Sequence, residues 1–202
     1  MGSIIKILRK IRSQLYPQSN PRVKLLKYMP KNATCAEVGS WKGNFSKMIL
    51  RFNKPRKLFL IDPYMYVENY DNALYGGLSG SQENMDAIHD SVVNMFSDNI
   101  AKGEVQMIRK PSKDGIENLE DSGLDWIYID GNHTHKYVID DLKASWKKVK
   151  TGGYVTGDDY GVPGWWDDGV TTAVDEFIKT KKEFLGEVKI IGSQFILQKA
   201  KS

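Results

Sequence analysis

From Thr34 onward the chain alternates between two hydrophobic patterns. Short apolar runs, too short for a stable helix and rich in β-branched and aromatic side chains, occur at 34–38, 57–61, 105–109, 126–129, 154–156, 188–191 and 195–198. Between the first five lie stretches in which apolar residues recur every three or four positions, near 45–52, 83–99, 116–119 and 136–149, and a further one lies at 172–181. Period-3.6 segments separating buried strands predict an α/β fold with a mostly parallel sheet and helices on both faces. Only Gly192 and Ser193 separate the last two runs, a hairpin-length gap that predicts an antiparallel pair at the end of a seven-stranded sheet.

Ahead of this region the pattern is different. Ile4, Ile7, Leu8, Ile11 and Leu15 fall at helical spacing with Lys6, Arg9, Lys10 and Arg12 between them, which predicts an amphipathic helix over 4–15. Pro17 and Ser19-Asn20-Pro21 end it, and 22–28 reads as a short second helix. The segment 62–81, rich in Tyr, Asn and Gly, fits neither pattern. A loop of that length inside a domain often works as a lid, with an ordered surface excursion as the plain alternative.

Composition narrows the class. The 202 residues are 41% hydrophobic, too apolar for a disordered chain, yet no eighteen-residue apolar run could span a bilayer. The lone Cys35 has no partner for an internal disulfide, and no leader with a cleavage site is evident, so a soluble cytoplasmic protein is expected. The net charge of +4 is unevenly spread. Residues 1–36 hold Lys6, Arg9, Lys10, Arg12, Arg22, Lys24, Lys27 and Lys31 and no acid, which leaves the remainder acidic overall. The expected organisation is a basic helical extension over 1–32 and a domain over 33–202.

Candidate chemistry gathers at the ends of the predicted strands. Glu37-Val38-Gly39-Ser40-Trp41-Lys42-Gly43 follows the first; Gly39 permits a sharp turn and close approach to a ligand, and Gly43 close helix packing. The spacing is not the Gly-x-Gly-x-x-Gly of dinucleotide binders. Asp62 ends the second strand, about twenty residues on, where an acid can accept hydrogen bonds from ribose hydroxyls. Ser112 and Lys113 follow the third, where such folds line an adenine pocket. Asp130 closes the fourth, ahead of Gly131-Asn132-His133, and Asp158 and Asp159 close the fifth. In a parallel sheet these ends share one edge, where three carboxylates would repel unless a cation sat between them; oxygen ligands suit a hard divalent ion such as magnesium. Solvated loop acids or helix caps would be the plainer reading. His133, three residues past Asp130, is the candidate general base. His135 reads as a cap or packing residue, and His89 has no functional context. Trp165 and Trp166 offer aromatic faces beside the site, with core packing the alternative for one of the two, while Trp126 and Trp146 read as core.

The series Glu37-x-Gly39-x-x-x-Gly43, Asp62, Asp130-Gly131-x-His133 and Gly157-Asp158-Asp159-Tyr160, with the later Gly169-Val170 and Ala173-Val174-Asp175-Glu176-Phe177, resembles the class I S-adenosylmethionine-dependent methyltransferases. It is most similar to the small metal-dependent O-methyltransferases of the macrocin and catechol types, over roughly residues 33–200. The resemblance implies a Rossmann-like methyltransferase fold, with Glu37, Gly39, Ser40 and Gly43 around the methionine part of the cofactor, Asp62 at the ribose and Ser112 by the adenine. Asp130, Asp158 and Asp159 would hold a divalent metal, magnesium by its chemistry, with Asp130 also touching the cofactor. The catechol-type relatives carry a lysine base three residues after the first metal aspartate; His133 stands there in this chain. The activity implied is methyl transfer to a hydroxyl of a small molecule, a sugar-containing or catechol-like diol. A nucleic-acid methyltransferase using the basic arm and a non-catalytic cofactor-binding domain are the alternatives. The acidic body argues against nucleic acid. The arm itself reads as a helical cap, a contact in a homo-oligomer or a membrane-surface contact.

Overall fold

A computed structural model describes residues 20–68 and 80–200 of the chain. The expected helix over 4–15 and residues 69–79 of the Tyr/Asn/Gly-rich segment lie outside them. The apolar runs form seven strands: β1 Thr34–Val38, β2 Lys57–Ile61, β3 Val105–Ile108, β4 Leu124–Ile129, β5 Val149–Gly157, β6 Leu185–Ile191 and β7 Gln194–Lys199. Their order in one sheet is β3-β2-β1-β4-β5-β7-β6. The first five are parallel, and β7 pairs antiparallel with both β5 and β6.

Alternation along the strands divides the core between two faces. Trp126 and Tyr128 of β4 join Cys35, Leu58 and Leu60 on one face. Ile127 and Ile129 join Ala36, Val38 and Val155 on the other. The first face is covered by helices α1 Pro21–Tyr28, α2 Asn44–Asn53, α3 Gln82–Met95 and α4 Ser97–Ala101, and the second by α5 Ser112–Glu117, α6 His135–Lys148 and α7 Gly169–Lys181.

Several boundaries differ from the sequence pattern, three of them for evident local reasons. The long helix expected over 83–99 breaks at Phe96, a buried residue in neither helix. The helix expected at 116–119 instead starts at Ser112, directly after Pro111, whose ring fixes an extended entry to the first turn. Strand β5 starts at Val149, straight off the end of α6, five residues ahead of its apolar run. Helix α1 also differs from a separate extension. Asn20 caps it by accepting the Arg22 N–H at 2.9 Å, Pro21 occupies the first turn, and Leu25, Leu26 and Met29 are buried in the core of the first face. The Asn53 side chain donates to the carbonyls of Leu26 and Met29, tying α1 to α2. The described part of the arm is thus packed within the sheet-based domain. No helix among the described residues is long and apolar enough to cross a membrane.

The sheet order places a topological switch point between β1 and β4, from which the chain winds outward in both directions. There the Asp130 N–H, just past β4, donates to the Val38 carbonyl at the end of β1, while on the other side the Gly39 N–H donates to the Ile61 carbonyl at the end of β2, both at 2.8 Å. Crevices of this kind, outside the carboxyl ends of parallel strands, are where ligands bind in open α/β sheets.

Candidate active site

A cavity of about 370 Å³ opens at this switch point. Its walls include Glu37, Gly39, Ser40, Asp130 and His133, all expected at the site, together with Arg22, Phe45 and Trp166. Gly43, Asp62, Ser112, Asp158 and Asp159 do not line it.

Gly39 makes the close loop approach possible. Its φ is +85°, and a Cβ there would lie 2.0 Å from the Asp130 carbonyl oxygen, so any side chain would separate the β1–α2 and β4–α6 loops. Gly43 also has a positive φ and sits against the Phe96 ring at the start of α2, consistent with a packing role. Glu37, at the penultimate position of β1, is buried and accepts a 2.5 Å hydrogen bond from the Ser46 hydroxyl. Burial pushes its carboxyl up to about 8, against the opposing Ser46 bond, with Asp130 adding to the rise.

Asp62 is fully buried. One oxygen accepts the Trp41 N–H at 2.8 Å and the other the Tyr64 N–H at 2.9 Å, and the Tyr64 hydroxyl reaches back to Ser40 and Trp41 at 3.0 Å. The acid therefore tethers the glycine turn to the end of β2, with Tyr64 arched over it. Ser112 begins α5, away from the cavity wall.

The strand-end acids are arranged differently from a trio facing one ion. Asp158 is held by Arg22 from α1: Nε and Nη2 lie 2.8 and 2.6 Å from its Oδ2, and the same Nη2 lies 2.7 Å from Asp130 Oδ2. The other Asp158 oxygen accepts from Ser193, from the Gln194 amide and from the Asp159 N–H. Burial alone would raise the Asp158 carboxyl; Arg22 and these donors outweigh it and hold it below the usual carboxylate range. Asp159, at φ +59°, turns toward His133. The imidazole lies between two acids, Nε2 at 3.3 Å from Asp130 Oδ1 and Nδ1 at 3.6 Å from Asp159 Oδ2. Burial disfavours its charge, but the neighbouring carboxylates prevail and raise its basicity. The Asp159 carboxyl is pushed up to about 6 by burial and by Asp158.

Among the described residues, Asp130, His133 and Asp159 bring potential ligand atoms within 4.8 Å of one another, without Asp158. Both imidazole nitrogens already face carboxylates, and Asp130 and Asp158 already share the Arg22 guanidinium. This arrangement does not fit a divalent ion held by Asp130, Asp158 and Asp159 as expected from sequence.

The aromatic expectations divide. Trp166 is partly buried with its ring 4.5 Å from His133 edge to face, and Trp165 is exposed beside it. Trp126 and Trp146 are core residues. His135 opens α6 and pairs with Glu176 at 3.0 Å, while His89 packs edge-on to Tyr64. The residue the sequence reading missed is Arg22, hidden among seven other basic residues of the arm.

The fold and this crevice define a Rossmann-like α/β architecture with a ligand-sized cavity at its switch point, and comparison with known proteins assigns the family. The chain belongs to the class I S-adenosylmethionine-dependent methyltransferases: the family model described as "Methyltransferase domain" matches residues 36–160. An uncharacterised protein of Acanthamoeba polyphaga mimivirus is 29% identical over 131 residues, covering 63% of this chain and 51% of the other. The chain thus spans about half the length of that curated relative. Among solved structures, the O-methyltransferase NovP superposes with a TM-score of 0.62 at 20% identity, over 90% of this chain and 80% of its own. An rRNA methylase from Streptococcus thermophilus gives 0.58 at 10% identity, over 89% and 94%. At such identities the structural likeness establishes the shared fold.

Proposed function

We propose that the chain transfers a methyl group from S-adenosylmethionine to a hydroxyl of a small molecule, with His133 as general base and Asp130 beside it. The observation that carries this reading is the His133 imidazole fixed between Asp130 and Asp159 in the wall of the switch-point cavity. The likeness to the O-methyltransferase NovP supports the same reaction class.

The cofactor fits the donor set. Glu37 and Asp130 bring carboxyl oxygens to one wall, able to accept hydrogen bonds from a ligand's amino group, and Gly39 leaves the backbone open for close approach. Asp62 remains the candidate for the ribose and Ser112 for the adenine; reaching Asp62 requires the Tyr64 arch to move aside. When bound, S-adenosylmethionine supplies an activated methyl on a sulfonium, so the protein's main task is alignment. Asp159 orients the ring through Nδ1, leaving Nε2 and Asp130 to hold the acceptor hydroxyl. His133 then takes the hydroxyl proton as the oxygen attacks. Trp166, packed on the imidazole, keeps water from one side of it and gives a flat acceptor ring a surface to rest on. The cavity size and these aromatics favour a sugar-containing or catechol-like acceptor.

Calorimetric titration with S-adenosylmethionine should show micromolar binding. A panel of catechols and glycosides, assayed with methyl-labelled cofactor, should yield a methylated oxygen. Replacing His133 by alanine should lower that rate by about 10²–10⁴-fold while cofactor affinity stays within a factor of a few. A full-length protein that binds no S-adenosylmethionine would sink the reading.

A further inference from the structure

We propose that Arg22 is the site's built-in cation. Delivered by helix α1, its guanidinium ties Asp130 to Asp158 in the place a divalent metal was expected, so the protein sets its Asp130–His133 pair without a resident metal ion.

Three observations converge on this. First, the geometry is tight: a single nitrogen, Nη2, lies 2.7 Å from Asp130 Oδ2 and 2.6 Å from Asp158 Oδ2, and Nε adds a second bond to Asp158 at 2.8 Å. An ion bridging those two oxygens would have to sit about 2.0–2.6 Å from each, in the space the guanidinium fills. Second, the guanidinium is seated rather than dangling. The Phe45 ring lies 5.2 Å from its carbon and Tyr128 6.0 Å, and the Tyr128 hydroxyl itself approaches Asp158 at 3.3 Å. Third, its position in α1 runs against the helix's own electrostatics. Arg22 is in the first turn, where the partial positive charge of the helix disfavours a cation. What holds it there is the docking of α1, with Pro21 against the Gly192 turn and Leu25 and Leu26 in the core, and the two carboxylates ahead.

The charge balance follows. Three converging carboxylates need positive charge between them, and Arg22 supplies it for Asp130 and Asp158 while His133 stands between Asp130 and Asp159. Arg22 is a positioning residue in this scheme. It fixes one Asp130 oxygen so that the other stays directed at the His133 ring.

Titration calorimetry with manganese chloride and magnesium chloride tests this on the full chain, without any acceptor. Wild-type protein should show no saturable uptake by the acid cluster. Arg22→Ala should open the pair and bind Mn²⁺ at least ~10-fold more tightly than wild type. Adding Asp158→Asn should abolish that gain, and Arg22→Lys should restore the metal-silent state in part. Loss of a merely structural contact would not create a metal site. Saturable wild-type binding that is lost in Asp158→Asn and unchanged in Arg22→Ala would overturn the proposal. Should Arg22→Ala fail to fold, the wild-type titration decides alone: silence supports the proposal and saturable uptake abolished by Asp158→Asn overturns it. The role given to Arg22 in catalysis rests on the methyltransferase reading above. Absent cofactor binding would remove that reading and leave the metal titration just as informative.

Discussion

At Gly39 a single hydrogen atom decides whether two loops can meet. A methyl there would overlap the Asp130 carbonyl oxygen at 2.0 Å, and the +85° φ adds strain for any L side chain. Gly39→Ala is therefore expected to destabilise the fold and to weaken cofactor binding together, seen as a lower Tm and a loss of calorimetric heat. Asp141, on α6, gives the opposite prediction. It is buried with no well-formed hydrogen bond to either oxygen, although the Ser112 hydroxyl lies close enough to moderate its environment. Burial pushes its carboxyl up to about 7, from an ordinary value of 3.8. Below the ordinary value both folded and unfolded chains are protonated and nothing is lost. As pH rises toward 7 the unfolded chain ionises and the folded one does not, so stability falls, by about 1.4 kcal/mol for each pH unit of displacement. Asp141→Asn should raise the Tm at pH 8 and leave it nearly unchanged at pH 4. Equal shifts at both values would contradict the assignment. The strand-end acids and His133 were legible in the sequence because position after an apolar run is a local signal. Arg22 was not, because its partners lie 108 and 136 residues away and nothing local marks one arginine among eight basic residues.

The elements show the same division between local and distant causes. Strands β1 and β2 coincide with their apolar runs because both are buried in the middle of the sheet, where pattern and packing agree. Helix α5 did not, since Pro111 and the Ile61 side chain against Gly115 fix where it starts and how closely it packs. Helix α1 is the most consequential case. Eight residues long and basic, it would be marginal alone, and its stability comes from the face it buries. Leu25 and Leu26 have no exposure, and truncating either to alanine should cost about 2–5 kcal/mol. A chain starting at residue 33 would lose both together with Arg22, expose the α2 side of the core and leave Asp130 and Asp158 without their shared guanidinium. We expect it to be insoluble or to unfold without cooperativity, as far-UV circular dichroism on heating would show. A cooperative, soluble 33–202 fragment would restore the view of the arm as an appendage.

On the scale of the molecule, the switch point is where two halves of one sheet are joined. Strands β1–β3 contribute the glycine turn, Glu37 and Asp62; β4, β5 and the hairpin after them contribute Asp130, His133, Asp158 and the Gln194 that holds it. Helix α1 spans the division, packing on α2 and on β6 and β7 while Arg22 reaches both strand-end acids. The uneven charge read from sequence takes on a different meaning here, since one of the arm's cations is spent inside the site on the body's acids. A ligand contacting both halves should stabilise the whole domain in one transition. S-adenosylmethionine at a hundred times its dissociation constant should add about 2.7 kcal/mol. For a domain of this size each kcal/mol moves the Tm by about 2–4 °C, so a rise of about 5–10 °C is expected. S-adenosylhomocysteine should act similarly, because it keeps the amino-acid and nucleoside parts. Adenosine alone, contacting only the β1–β3 half, should give a smaller shift, and magnesium chloride at equal concentration none. Equal shifts from adenosine and S-adenosylmethionine would place the whole binding free energy on the β1–β3 half and remove Asp130 and the Arg22 clamp from the ligand site.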